Sequence, residues 1–419
     1  MSDRPWTGAA AEAKRIVDCH ECGLRHAMGD LPPQTRALCG RCGASLMRVP
    51  VNSLDRSLAL TITGFVLLAI AMTFPFMSLT IQGRIQQADL VTGVIALAEQ
   101  GLWSLAAVVF LTTIGAPSLK LGATLYVLVG LRLRRAPPYL PLVFRWLEFL
   151  HPWAMVEVYL LGVFVAYVKL IDLASIGLGP AFYSLATLMV VMVAIDGTLG
   201  SELVWREMER RRLVPIPPYR PGARLVLCEE CGLTSPMVGH HGACARCGAR
   251  LHLRKQNSLS RCWALTITAA ILYIPANAFP IMTVISFGHG EPDTIMSGIK
   301  ALFLGGMWPL ALLVFFASVT VPVLKLIGIV FLLISTQRAS RWRLRDRAVL
   351  YRIVEAVGRW SMIDIFMLSI LAGLVQLGSI ATIAPGVGAI SFAAVVITTM
   401  FAATAFDPRL MWDAAGKNT

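Results

Sequence analysis

The chain has 419 residues, of which 56% are hydrophobic and only 15% charged, with a mean hydropathy of +0.68 and a formal net charge of +13. An ordinary soluble chain carries roughly 25% charged residues, so this composition excludes a soluble enzyme, a disordered regulator and a secreted disulfide module. The apolar residues are clumped into long runs, which predicts a polytopic membrane protein.

Taken in order, the chain runs through one set of elements twice. Residues 1–50 are polar and hold Cys19-x2-Cys22 and Cys39-x2-Cys42. Residues 51–212 follow as a membrane module with candidate spans at 58–79, 101–131, 152–173 and 180–203. The linker 213–223 contains four prolines and is expected to be extended and semi-rigid. Residues 224–256 hold Cys228-x2-Cys231 and Cys244-x2-Cys247. Residues 257–419 form the second module, with spans at 263–286, 307–335, 360–380 and 386–406. The repeat is explicit: Asn52-Ser53-Leu54 returns as Asn257-Ser258-Leu259, and Pro117-Ser118-Leu119-Lys120 as Pro322-Val323-Leu324-Lys325. Further on, Trp153 matches Trp360 and Glu157 matches Asp364. The expected fold is an all-α polytopic membrane protein of two tandem pseudo-symmetric modules. Each module is a small β zinc ribbon followed by four transmembrane helices.

Orientation follows from the basic residues. Segments 1–57, 131–150, 201–261, 336–359 and the tail after 406 hold 32 of the 37 Lys and Arg. The intervening loops 80–100 and 288–305 hold one each, Arg84 and Lys300. The positive-inside rule then predicts both termini and both ribbons in the cytoplasm, and the polar, cysteine-bearing N-terminal segment is expected to stay on the side of synthesis. Basic residues that flank spans on one face suit anionic headgroups, so no nucleic-acid partner is expected. The loops on the other face are short and predict no folded domain there.

The x2 spacing lets two thiolates on one tight turn point at one ion, and two such turns complete a tetrahedral set of four sulfurs. Gly23, Gly43, Gly232 and Gly248 follow the four pairs, where positive φ lets the backbone fold round a metal. Zinc is the expected ion, one per ribbon, with iron the second choice. Disulfides or a thioredoxin-like pair are the alternatives, disfavoured by a reducing cytosol. Four thiolates leave no open coordination position, so the sites read as structural. His20, His26, His240, His241 and His252 read as surface residues, and Cys262 as packing.

Charges inside spans are costly and are kept mostly at functional or tightly paired positions. Lys120 and Lys325 each lie three residues after a proline that removes a helix hydrogen bond and frees a carbonyl near Thr113 or Ser318. They are expected to pair with Glu157 and Asp364, Lys120–Glu157 as a structural ion pair. Other polar residues have no mate in the repeat: Lys169 and Asp172 stand opposite Gln376 and Ser379, Asp196 opposite Ala403, and Thr399 opposite Met192. Scaffold constraints act on both modules alike, so single-copy residues better mark a working site; Lys169, Asp172 and Thr399, together with Ser318, Lys325 and Asp364, are the candidate transport network. No P-loop, G-x-S-x-G or H-E-x-x-H is present, and no enzymatic activity is expected.

Two C-x-x-C-G ribbons, each followed by four spans with N-S-L-x-R, F-P-[FI]-M and P-x-L-K-L, resemble the paraquat-inducible protein A family over essentially the whole chain. The resemblance implies a bacterial inner-membrane protein working with a hexameric MCE-domain protein that forms a tunnel across the periplasm. The expected function is to load or extract phospholipid or another lipophile for that tunnel, with possible coupling to the proton gradient. Two rivals stay open: a structural anchor for the ring, and a membrane redox protein using its C-x-x-C pairs.

Overall fold

A computed structural model describes residues 15–416 apart from 30, 33, 50–52, 82–83, 151–152, 171–174, 216–223, 238–241, 287–288, 359 and 376–380. Most of the expected linker, the side chain of Lys169, and Asp172, His240 and His241 therefore lie outside the described residues.

Hairpins β1 (Arg15–Asp18)/β2 (Arg25–Met28) and β3 (Arg36–Leu38)/β4 (Ser45–Arg48) make the first ribbon. Helix α1 (Ser53–Thr73) leads to the opposite end, where β5 (Met77–Ile81) pairs with β6 (Arg84–Ala88). Helix α2 (Thr92–Glu99) precedes a long return segment: α3 (Trp103–Phe110), a π-helical turn Leu111–Gly115, and α4 (Ala116–Gly130). Helices α5 (Leu140–Leu150), α6 (Val156–Leu170), strand β7 (Ser175–Leu178), α7 (Pro180–Thr198) and α8 (Ser201–Arg210) complete the first half.

The second half repeats the order. Strands β8 (Arg224–Leu227)/β9 (Thr234–Met237) and β10 (Gly242–Ala243)/β11 (Arg250–Leu251) make the second ribbon. Next come α9 (Ser258–Ala278), β12 (Met282–Ser286), β13 (His289–Asp293) and α10 (Ile295–Leu304). The long segment is α11 (Trp308–Phe315), a π turn Phe316–Thr320 and α12 (Val321–Gln337). Helix α13 (Leu344–Val357), a 3-10 turn Trp360–Met362, α14 (Ile363–Leu374), β14 (Ala381–Pro385), α15 (Val387–Ala405) and α16 (Arg409–Gly416) follow.

Among the described residues, seven helical segments are long and apolar enough to cross a membrane. The expected span 152–173 contains the shorter apolar helix Val156–Val168. The expected spans 58–79 and 263–286 overran: their helices end at Thr73 and Ala278. Proline disfavours α backbone at the residue before it, and Phe74-Pro75 and Phe279-Pro280 stop each helix there. The residues beyond form three-stranded antiparallel sheets, β6-β5-β7 and β13-β12-β14, where no structured element was expected. Met77 and Leu79 on β5 are fully buried. The π turns sit where the prolines predict a break, since Pro117 and Pro322 have no amide to donate to the preceding turn.

The halves meet through α14, whose twelve residues are all buried. Helix α6 packs along it and α2 crosses it. A Cβ at Gly93 would lie 2.6 Å from the Ser369 carbonyl oxygen, and one at Gly373 2.9 Å from the Gly93 backbone, so only glycine permits this crossing. The repeat mate of Gly93 is Gly298 on α10, and nothing lies within 4 Å of a Cβ there.

The ribbons pack across the repeat. Ribbon 2 shares one apolar cluster with first-half residues Val127, Phe144, Leu147, Val204, Trp205 and Met208. Ribbon 1 shares another with second-half residues Leu332, Tyr351, Val354, Phe406, Met411 and Trp412.

Candidate metal centres and intramembrane polar groups

The four knuckles share one geometry. In each, the glycine amide donates to the carbonyl of the first cysteine at 2.9–3.0 Å (Gly23 to Cys19, Gly43 to Cys39, Gly232 to Cys228, Gly248 to Cys244). All four glycines have φ between +69° and +75°, the left-handed region that a side chain would strain. The turns gather Cys19, Cys22, Cys39 and Cys42 into one set and Cys228, Cys231, Cys244 and Cys247 into another, each with its sulfurs within 4.8 Å of one another. Cys19–Cys42 and Cys22–Cys39 lie 3.5 Å apart, Cys228–Cys247 3.6 Å and Cys231–Cys244 3.5 Å. These spacings are too long for disulfides and close to the edge of roughly 3.8 Å that a tetrahedron with metal–sulfur bonds of about 2.3 Å requires. All eight cysteines are buried and free. A hydrogen bond from Cys22 draws the Cys19 thiol down to about 4, while the same contact and burial push Cys22 up, and burial raises Cys42. Both sets fit a metal ion bound by four thiolates.

Polar contacts fix the ribbons to the opposite half. Arg246, whose side chain is fully buried, meets Glu202 at 3.2 Å and Glu209 at 2.5 Å on α8 and stacks over Trp205. Burial alone would lower its pKa, but the two carboxylates hold it above the ordinary value. Arg352 on α13 meets Glu21 at 2.9 Å and donates to the Cys42 carbonyl at 2.6 Å. Arg41 stacks over Trp412. Ribbon 2 also touches its own half, through Glu229 and Arg409, which is paired in turn with Asp407. His26, read as a surface residue, places Nε2 3.3 Å from Cys39 Sγ. It is a neighbour of the ligand set and was missed because its spacing resembles no ligand motif. Cys262 packs as expected, its thiol 3.3 Å from the Ala402 carbonyl.

Inside the bundle the expected pairs are rearranged. Lys120 pairs with Asp196 on α7, Nζ to Oδ1 at 2.7 Å, and not with Glu157. The reason lies in packing: α6, which carries Glu157, lies mainly against α14 of the other half. Thr113, beside the carbonyl that the proline frees, donates its hydroxyl to the Val109 carbonyl. In the second half Lys325 donates to Thr399 at 3.1 Å, where pairing with Asp364 was expected. A Cβ at Gly358 would lie 2.6 Å from Lys325 Nζ, so glycine leaves room for the ammonium. Asp364 is buried on the first turn of α14, which packs against the π turn carrying Ser318. Ser318 Oγ is buried with no hydrogen-bond partner among the described residues. Four of the six network candidates thus lie on neighbouring elements, with a direct bond between Lys325 and Thr399.

One cavity of about 750 Å³ lies between the ribbons, above the ribbon end of α7. Asp196 lines it; Ser318, Lys325, Asp364 and Thr399 do not.

These features define a mostly helical, multi-pass membrane protein with two small β regions, each holding four clustered cysteines. A sequence profile described as Paraquat-inducible protein A matches residues 54–209 and again 259–416, and the chain belongs to that family. The intermembrane transport protein PqiA of Escherichia coli (strain K12) is 32% identical over 413 residues, covering 96% of each chain. The lipophilic envelope-spanning tunnel protein A of the same strain is 32% identical over 396 residues, covering 94% of this chain and 91% of the relative. A probable intermembrane transport protein of Haemophilus influenzae is 27% identical over 420 residues, covering 97% and 98%. No solved structure matches the chain.

Proposed function

We propose that this protein is the inner-membrane component of an intermembrane lipid transport system. It loads or extracts phospholipid or a similar lipophile for a periplasmic tunnel built by a hexameric MCE-domain protein. The observation that carries the reading is the similarity, along nearly the whole chain, to relatives named for intermembrane transport and an envelope-spanning tunnel. In this reading both termini and both ribbons face the cytoplasm, the two modules span residues 51–212 and 257–419, and each ribbon holds one zinc as a structural staple. No reaction is catalysed. The buried cluster of Lys325, Thr399, Asp364 and Ser318, with Lys169 and Asp172, couples cargo movement to the proton gradient, since ionisable groups kept in hydrocarbon mark relay or substrate positions.

In cells lacking the endogenous transporter, Lys325→Ala and Asp364→Ala should each abolish complementation at normal protein levels. Full activity of both variants would remove the coupling role. One observation favours a second reading, a mooring for the ring without transport of its own. Lys325, Asp364, Ser318 and Thr399 are all at least 97% buried and lie apart from the cavity between the ribbons. Under that reading both variants complement, and only residues touching the ring matter.

A further inference from the structure

We infer that Asp196 and Lys120 form a proton-exchange site, reached from the cavity between the two ribbons. The inference rests on the carrier reading for its purpose, but its geometry belongs to the other half of the molecule. Lys120 sits within the long helical segment Trp103–Gly130, just after a π turn, and its side chain is 6% exposed. Asp196 is the third residue from the end of α7, and its side chain is 28% exposed. The carboxylate therefore has two faces: one meets the buried ammonium at 2.7 Å, and the other lines the cavity of about 750 Å³. A cavity of this size with polar walls holds water.

The walls are polar and charged. The ribbons contribute Asp18, Glu21, Glu229 and Glu230. The helices and their ends contribute Glu148, Glu202, Glu355 and Asp407. The facing cations are Arg48, Lys255 and Arg409, with His20 beside them. With Asp196 the cavity is lined by nine carboxylates, most of them paired with a basic side chain: Asp18 with Arg25, Glu21 with Arg352, Glu202 with Arg206 and Arg246, Glu230 with Arg145, and Glu229 and Asp407 with Arg409. The ribbon carboxylates take no part in the proton step.

The repeat argues against a scaffold role. Lys325 occupies the place of Lys120, but the place of Asp196 is taken by Ala403, and Lys325 bonds Thr399 instead. A lysine at this position can thus be held without a carboxylate on the fourth span. The step is simple: a hydronium in the cavity gives its proton to an Asp196 oxygen and leaves as water. The ion pair becomes a carboxylic acid beside an ammonium, and α4 loses its electrostatic tie to α7. Reversal returns the proton to cavity water.

Two experiments on the full chain test this. Asp196→Cys in sealed membrane vesicles, with the parent protein as background, should react with a charged maleimide added on the ribbon face and not on the other. No labelling from the ribbon face would overturn the access route. In the complementation assay Asp196→Asn should lose activity and Asp196→Glu keep it. The double variant Lys120→Met/Asp196→Leu replaces the ion pair with apolar packing, a change that is often neutral for stability. It should accumulate normally and fail to complement. Wild-type activity of that double variant, or of Asp196→Asn, while Lys325→Ala and Asp364→Ala fail, would overturn this site and leave the carrier reading intact. Wild-type activity of all these variants would remove both.

Discussion

Cys228→Ser/Cys231→Ser should lose one of two bound metal equivalents and unfold the second ribbon, with damage that reaches the first membrane module. A ribbon of this size has little core beyond its cysteines, and a structural zinc site contributes about 10 kcal/mol or more to folding. The cysteines of ribbon 2 lie in one apolar cluster with Trp205, Phe144 and Met208. Losing the ribbon exposes that cluster and leaves Glu202 and Glu209 without the guanidinium of Arg246. Metal analysis of the purified chain and limited proteolysis should show one remaining metal and new cleavage around α8. Retention of two metals, or loss of metal with α8 still protected, would contradict the crossed packing. Titratable disulfides in place of metal would support the redox alternative.

The second large effect separates two residues that are identical in the repeat. Gly93→Val should be severely destabilising, by about 3 kcal/mol or more, while Gly298→Val should be close to neutral. Overpacking costs most when the clashing atom cannot move, and the atoms facing Gly93 are the carbonyl oxygen and carbon of Ser369. A valine there must push α2 off α14, the helix through which the halves meet. Gly298 faces open space, and valine is no worse a helix former than glycine, so nothing large is lost there. Thermal melting of the purified variants reads the difference. Equal losses would mean that α2 and α10 are docked alike.

The four-cysteine clusters were legible in the sequence because their geometry is local: x2 spacing and a following glycine fix a knuckle within five residues. The repeat was legible for the same reason, as was the break in the second span of each half, since Pro117 and Pro322 carry it in their own covalent structure. What escaped was set by packing between distant segments. Lys120 finds Asp196, 76 residues away, because α7 and not α6 brings a carboxylate to it. The only sequence signal was that Asp196 lacks a mate in the repeat. The crossing of the ribbons left no local trace, because an apolar ribbon face suits either half equally well. The sheets at the far end could have been found: Met77-Ser-Leu-Thr-Ile81 alternates apolar and polar residues before a glycine, a strand pattern hidden in the apolar run of the first span.

In the proposed function, buried ionisable groups in the membrane segments act on a lipophilic cargo. The most direct measurement is transfer of a fluorescent phospholipid from vesicles containing the purified protein to the soluble ring of the proposed MCE partner, comparing wild type with Lys325→Ala. Transfer by the wild type and its loss in the variant, at equal reconstitution and equal ring binding, is the predicted result. Equal transfer by both proteins, or none by the wild type when the ring is bound, would contradict the account.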